Sequence, residues 1–179
     1  MEDDVSLIEP TADYRSEYLE MTTEWRTAGE KLIPWVLRFD SSNFHTMLQE
    51  LERLRHDSHL EEGKVNCSTF WLVKQDRTML GAVNIRHRLN ASLLEIGGHI
   101  GYGIRPSARR QGYATALLHL ALREARILGI DKVLITCDKD NIGSARTIIN
   151  NGGTLDSEYI VNGVEIQRYW IQNEWNECC

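Results

Sequence analysis

The chain has 179 residues, of which 42% are hydrophobic and 26% charged, and its formal net charge is −6. That length suits one domain spanning residues 1–179 with a real core. The acidic balance excludes a general nucleic-acid binder, no apolar run is long enough to span a bilayer, and the acidic opening "MEDDVSLIEP" is unlike a signal peptide. The expectation is a cytoplasmic protein with neither nucleic acid nor membrane as its partner.

In chain order, "VSLIEP" predicts a short strand stopped by Pro10, and Thr11 or Asp13 a cap for a helix over Tyr14–Thr27. "SSNFHTMLQELERLRHD" predicts a second helix opened by a serine cap. Two strands follow, Thr69–Lys74 and Met79–Arg88, around a polar turn, and then a third over Gly98–Arg105. The clearest helix is Tyr113–Leu128. Its Ala114, Leu117, Leu118, Ala121, Leu122, Ala125 and Leu128 form one apolar stripe, His119 and Arg123 lie off it, and Gly129 stops it. "KVLITCD" predicts a buried strand, and Asp140 or Asn141 caps a helix through Asn150. A hairpin closes the pattern, turning on Asn162–Gly163, the preferred type I′ pair. Helices first, an antiparallel meander, then β–α–β and a hairpin predict an α/β domain of the α+β type. Its sheet is mixed but mostly antiparallel, with helices on both faces.

Cys67, Cys137, Cys178 and Cys179 contain no C-x-x-C pair and predict free thiols in a reducing compartment, with the last two in a frayed tail. Charge is uneven along the chain: residues 1–62 carry −9 and residues 63–179 carry +3. The acidic first third would suit a cationic acceptor or simply be a solvated helical surface.

The most informative stretch is "GYGIRPSARRQGYATALL", Gly101 to Leu118, which ends a strand, turns and starts a helix. A helix N-terminus favours an anion through its unpaired N–H groups and partial positive charge. Gly112 removes a Cβ that would hold a phosphate away, and Arg105, Arg109 and Arg110 supply charge and paired donors. The plain alternative is a strand–helix turn with exposed arginines. A P-loop is excluded for want of its Gly-Lys-Ser/Thr end, and Pro106 stands where a dinucleotide fingerprint needs glycine.

"RRQGYA", Arg109 through Ala114, resembles the Arg/Gln-x-x-Gly-x-Gly/Ala signature of the GNAT superfamily of acyl-CoA-dependent N-acyltransferases. It follows a strand ending "IRP", opens an Ala- and Leu-rich helix, and precedes a strand and "DNIGSARTIINNGG", similar to the family's next block. The resemblance covers Thr69–Gly153, and the run "VNIRHRL…GGHIGYGIRPSARRQGYAT" is similar to a bacterial subgroup known as predicted acetyltransferases.

The resemblance implies a central sheet splayed at an acetyl-CoA site and, with acetyl-CoA as co-substrate, no metal. It places the pyrophosphate on the amides of Gln111, Gly112, Tyr113, Ala114 and Thr115, near Arg109 and Arg110. The pantetheine arm would pair with the strand ending at Gly103, Ile104 and Arg105, which gives Gly101 and Gly103 a use. Asn141 would touch that arm while also capping its helix. Acylation needs a neutral amine, so a general base is expected: Glu95 first, then His99, then His87 between Arg86 and Arg88. The plainer reading of His99 is a hydrogen-bonded structural histidine, and that of Glu95 a solvated turn acid. Many relatives carry a thiolate-protonating tyrosine where Ile148 stands, which leaves Ser144 or water for that task.

The expected activity is N-acetyl transfer to a primary amine on a small molecule or peptide, by direct attack on the thioester. The alternative is a catalytically weak, CoA-binding regulatory domain. A homodimer is expected, with Trp170 and Trp175 on the closing strand.

Overall fold

The computed structural model describes residues 4–174; Trp175, Cys178 and Cys179 lie outside the described residues. Four strands form an antiparallel meander: β1 (Val5–Ile8), β2 (Cys67–Lys74), β3 (Met79–Arg86) and β4 (Ile100–Ile104). Three more, β5 (Lys132–Asp138), β6 (Thr154–Val161) and β7 (Val164–Gln172), form a second ladder in the order β5-β7-β6. The expected single layer is thus two antiparallel ladders, with β4 and β5 as the facing edges.

Helices cover both sides. α1 (Arg15–Thr27) and α2 (Phe44–His56) pack on one face, and α4 (Tyr113–Ile127) and α5 (Ile142–Asn150) on the other. β2 shows why "FWLV" is apolar without interruption: Phe70 and Leu72 face the α4 core while Trp71 and Val73 face the α1–α2 core. A strand buried on both faces loses the polar alternation of a half-exposed one. On α4 the predicted stripe is buried at Leu117, Leu118, Ala121, Leu122 and Ala125, with His119 and Arg123 exposed. Each fully buried leucine contributes about 1.5–3 kcal/mol relative to exposure.

Local differences from the sequence reading have plain causes. Asn43, not a serine, caps α2, its side-chain oxygen accepting from the Thr46 amide at 3.1 Å. Thr11 caps a short 3-10 turn that leads into α1, which therefore begins at Arg15. A five-residue helix, α3 (Ala91–Glu95), fills the connection after β3, which ends at Arg86 rather than Arg88. The hairpin turn has positive φ at both Asn162 and Gly163, as a type I′ turn requires.

β4 and β5 join at one end only. The His99 amide donates to Leu134 O at 2.7 Å, and the Leu134 amide donates back to His99 Nδ1 at 2.9 Å. The Gly97 amide adds a bond to Thr136 Oγ1 at 2.9 Å. Beyond this joint no ladder links the two strands among the described residues.

Candidate active site

Past the joint, the gap between β4 and β5 opens into a cleft of about 570 Å³. β4 lines it with Tyr102, Gly103 and Ile104, the start of α4 with Gly112, Ala114 and Thr115, and the start of α5 with Asn141, Ser144 and Thr147. Trp25, Glu30, Lys31 and Ile33 wall it from the α1 side.

The open edge of β4 follows from its ladder. The Arg105 amide donates to Leu80 O on the β3 side at 2.8 Å. Backbone groups alternate along an antiparallel strand, so the amides of Tyr102 and Ile104 point the other way, into the gap. Ile104 O on that edge accepts from Arg109 Nε at 3.0 Å.

α4 begins on Gly112, whose φ of 83° lies in the left-handed region, and no side chain caps the helix. The turn before it is held by Gln111, whose side-chain amide donates to Ser107 O at 3.1 Å. The amide of Thr115 is turned into the helix and donates to Gly112 O at 3.0 Å. Thr115 therefore lines the cleft but its N–H is already engaged, which leaves the amides of Gln111, Gly112, Tyr113 and Ala114 ahead of it.

The three arginines part company. Arg110 is exposed and lines the cleft. Arg109 also lines it, but its guanidinium is gripped by Glu30 at 2.8 and 2.5 Å and lies 5.7 Å from the Trp25 ring centre. That bidentate bond holds the Glu30 carboxyl below its ordinary range. Arg105 is a correction: its side chain is buried against α1, paired with Glu24 and with Glu20 at 2.9 Å, and it donates to Met79 O at 3.2 Å. Burial opposes the Glu24 charge, and the Ser107 amide together with Arg105 outweighs it, leaving the carboxyl below its usual value. Arg105 thus ties α1 to the end of β4, and its charge is spent there.

Gly103 also differs from expectation. A Cβ there would sit 2.5 Å from Ile33 O and 2.8 Å from the Trp25 ring, so its bare backbone admits a loop of the same chain.

The candidate bases do not gather at the cleft. Glu95 ends α3 and is exposed, away from the cleft lining. His99 is buried, and burial with the nearby Arg86 charge pushes its pKa down to about 4. Its Nδ1 lone pair already takes the Leu134 amide, so the neutral ring carries its proton on Nε2 and has no free acceptor. It is the structural histidine. His87 bonds Ser68 Oγ through Nε2 at 2.8 Å, and burial with Arg55 and His56 lowers its pKa.

Asn141 caps α5, its side-chain oxygen accepting from the Ser144 amide at 3.0 Å. Ser144 Oγ lies 3.0 Å from the hydroxyl of Tyr102, a residue the sequence reading passed over. Burial pushes the Tyr102 pKa up to about 12, so at neutral pH it is an O–H donor. The usable signal was alternation: Ile100, Tyr102 and Ile104 share the β4 face turned toward α4 and α5. Ile148, by contrast, is fully buried in the core and does not line the cleft. A tyrosine hydroxyl therefore does reach this cleft, from β4 instead of from the last helix.

The profile of the acetyltransferase (GNAT) domain matches residues 5–154. No curated protein matches the chain in sequence. Among solved structures, RimL, a ribosomal L7/L12 α-N-protein acetyltransferase with coenzyme A, superposes with a TM-score of 0.68 at 17% identity, over 94% of each chain. The microcin C7 self-immunity acetyltransferase MccE, with acetyl-CoA and AMP, gives 0.65 at 20% identity over 95% of this chain and 93% of its own. A dodecameric spermidine N-acetyltransferase from Vibrio cholerae gives 0.64 at 15% identity over 96% of this chain and 95% of its own. A splayed β4–β5 pair, a helix starting uncapped on glycine at the cleft, and a domain profile spanning most of the chain agree: this protein belongs to the GNAT acetyltransferase family.

Proposed function

We propose that the protein is an acetyl-CoA-dependent N-acetyltransferase whose acceptor is a primary amine, with direct attack of that amine on the thioester. The observation that carries this reading is the uncapped start of α4 on Gly112, set beside the open edge of β4 and the exposed Arg110. Solved relatives crystallised with acetyl-CoA or CoA support the donor. The residues present fit it: four forward amides and, unpaired among the described residues, Arg110 for a pyrophosphate, and the strand-edge amides of Tyr102 and Ile104 for an amide-bearing arm.

Acetyl-CoA supplies the acyl group and a thiolate that leaves readily. The chain holds and orients. Amides of Gln111–Ala114 and the Arg110 side chain would take the phosphates, and the Tyr102 and Ile104 edge would pair with the arm. An N–H of that edge would donate to the thioester oxygen, as oxyanion-type donors do. Asn141, its oxygen engaged in the cap, keeps its NH₂ for the arm. Ser144 would donate its hydroxyl proton to the departing sulfur and take one from the Tyr102 hydroxyl, which recovers it from the water that receives the amine's proton. A lysine-like amine, with a pKa of roughly 10.4, must shed a proton before attack, and with the His99 acceptor engaged and neither Glu95 nor His87 lining the cleft that proton passes to water. The new N–C bond forms as the C–S bond breaks.

Gly112→Glu tests the donor site by placing a side chain and a negative charge where the pyrophosphate belongs. Acetyl-CoA is expected to raise the melting temperature of the wild type and not of the variant. Stabilisation that survives intact would refute the site. Thiol release across a panel of amines then tests transfer, and tight binding without release would mark a regulatory CoA-binding domain instead.

A further inference from the structure

A second cavity, of about 250 Å³, opens beside Trp35 and the end of β3. Ile33 lines the cleft and Trp35 lines this cavity, so the segment 33–35 borders both. Around the cavity stand Lys64, Arg86, Asn90, Ser92 and Leu93, and among the described residues no carboxylate lines it. Lys64 is paired with Glu61 at 2.6 Å, and Asn90 is engaged in capping α3 and in a bond to Gly63 O at 2.8 Å.

Arg86 is different. It is half-buried, and its hydrogen bonds are both made by Nη1, to Gly97 O and Gly98 O at 3.0 Å each. A guanidinium offers five N–H donors, so most of this one's capacity goes unused within the chain. Among the described residues no carboxylate pairs with it, and burial pulls its pKa down. Buried cations are ordinarily paired, because leaving one without a counter-charge is costly. Carbonyl dipoles offset part of that cost, and an oxyanion taken bidentately would offset far more.

Its position matters as much as its charge. A Cβ on Gly101 would lie 3.9 Å from both Nη1 and Nη2, and 3.8 Å from Pro34 Cβ. The guanidinium therefore lies over the backbone of β4 one residue from Tyr102, whose amide faces the gap. An amine whose anionic group rested on Arg86 would be directed toward the same stretch of β4 that offers its edge to the thioester arm.

We propose that Arg86 and its cavity form the acceptor's anion subsite, and that the acceptor is an amine bearing a carboxylate. The inference deepens the transferase reading and rests on it for the word acceptor, while the anion site itself stands on the cavity. The neutral and polycationic amines are thereby disfavoured as acceptors, since an uncompensated cation would face them.

The test begins without acetyl-CoA, so that it does not depend on turnover. A panel of N-acetyl amino acids with small, acidic, basic and aromatic side chains is titrated against the protein by NMR, each beside its own primary amide. At least one acid is expected to bind about tenfold or more tighter than its amide, the scale of a charge-assisted bidentate contact. Arg86→Gln, which keeps a donor for the Gly97 and Gly98 carbonyls, should erase the difference, and Arg86→Lys should keep part of it. Because the acid–amide comparison is made on wild type, a poorly folded variant does not void it. Steady-state rates with the free amino acids and their amides should then show the same preference in KM.

Equal binding of every acid and amide, no binding of any acid, or a preference that survives in a folded Arg86→Gln would overturn the proposal. A preference for phosphoethanolamine over every amino acid would overturn the carboxylate assignment. Carboxylate binding lost in Arg86→Gln but without acetyl transfer to any amine would instead reject the transferase reading and leave the anion site standing.

Discussion

The two ends of β4 behave as different structures. At its start, His99 is stitched to β5 by a reciprocal pair of hydrogen bonds, in which each residue both donates and accepts. Five residues on, at Ile104, the same strand keeps an edge turned to a cleft, and among the described residues the Arg109 side chain alone bonds to it. The closed end fixes where the strands diverge, and the open end uses the divergence. A continuous ladder would be the more stable sheet but would leave no gap for a ligand.

Breaking the closed end should have the largest effect. His99→Leu removes the acceptor of the buried Leu134 amide and should cost about 1–3 kcal/mol, read as a lowered denaturation midpoint. The joint should also be acid-sensitive, and the sign is fixed by a native pKa of about 4 lying below the ordinary histidine value of 6.5. The neutral ring is favoured in the folded state, so its contribution is full above the unfolded pKa. It fades as pH falls below 6.5 and is gone below about 4. His99→Leu should flatten that part of the stability–pH curve.

The open end should respond in rate and not in stability. Ser144→Ala removes the proposed donor to the sulfur and should lower kcat about 10–100-fold, the range of a hydrogen bond to a charged group. Its melting temperature should fall by no more than about a few degrees, since Asn141 still caps the backbone of α5 and the Tyr102 hydroxyl keeps the Ser144 carbonyl, 3.5 Å away, as an acceptor. An unchanged kcat would leave the thiolate to water.

The smallest effect is expected at Glu95, which belongs to neither end. Glu95→Gln should change turnover less than about twofold, against the 10²–10⁴-fold loss of a true general base. A loss in the larger range, with the acid limb of the pH–rate profile gone, would bring Glu95 back as the base and require α3 to approach the cleft.

What was legible in the sequence was local. The stripe on α4, the Asn162–Gly163 turn and the strand–glycine–helix order at Gly112 each depend on residues a few positions apart, and each stands as read. The arginines were misjudged because their partners are remote: Glu24 and Glu20 lie 81 and 85 residues before Arg105, and Glu30 lies 79 before Arg109. Charge next to an anion site looks alike whether it is free or already neutralised. Tyr102 was hidden differently. It stands between two glycines that drew attention to the backbone, and its partner Ser144 lies 42 residues away, across the gap. α3 escaped because five residues are too few to display a helical period.

The open edge of β4 has a consequence for how this protein can change over time. What it presents there is main chain, and main-chain donors and acceptors are the same for every residue type but proline. Point substitutions at Tyr102 and Ile104 alter the walls but leave the edge's hydrogen-bonding pattern in place, whereas at Gly103 any side chain would meet the Ile33 carbonyl, and proline alone deletes an N–H. Gly112 is the exception on the donor side, since its backbone angle and bare Cα are themselves the feature. Recognition written in peptide groups is thus buffered against drift, whereas the side chains around Arg86 are free to be rewritten for a new acceptor. A scaffold divided in this way can keep one donor and exchange its acceptor by a handful of substitutions.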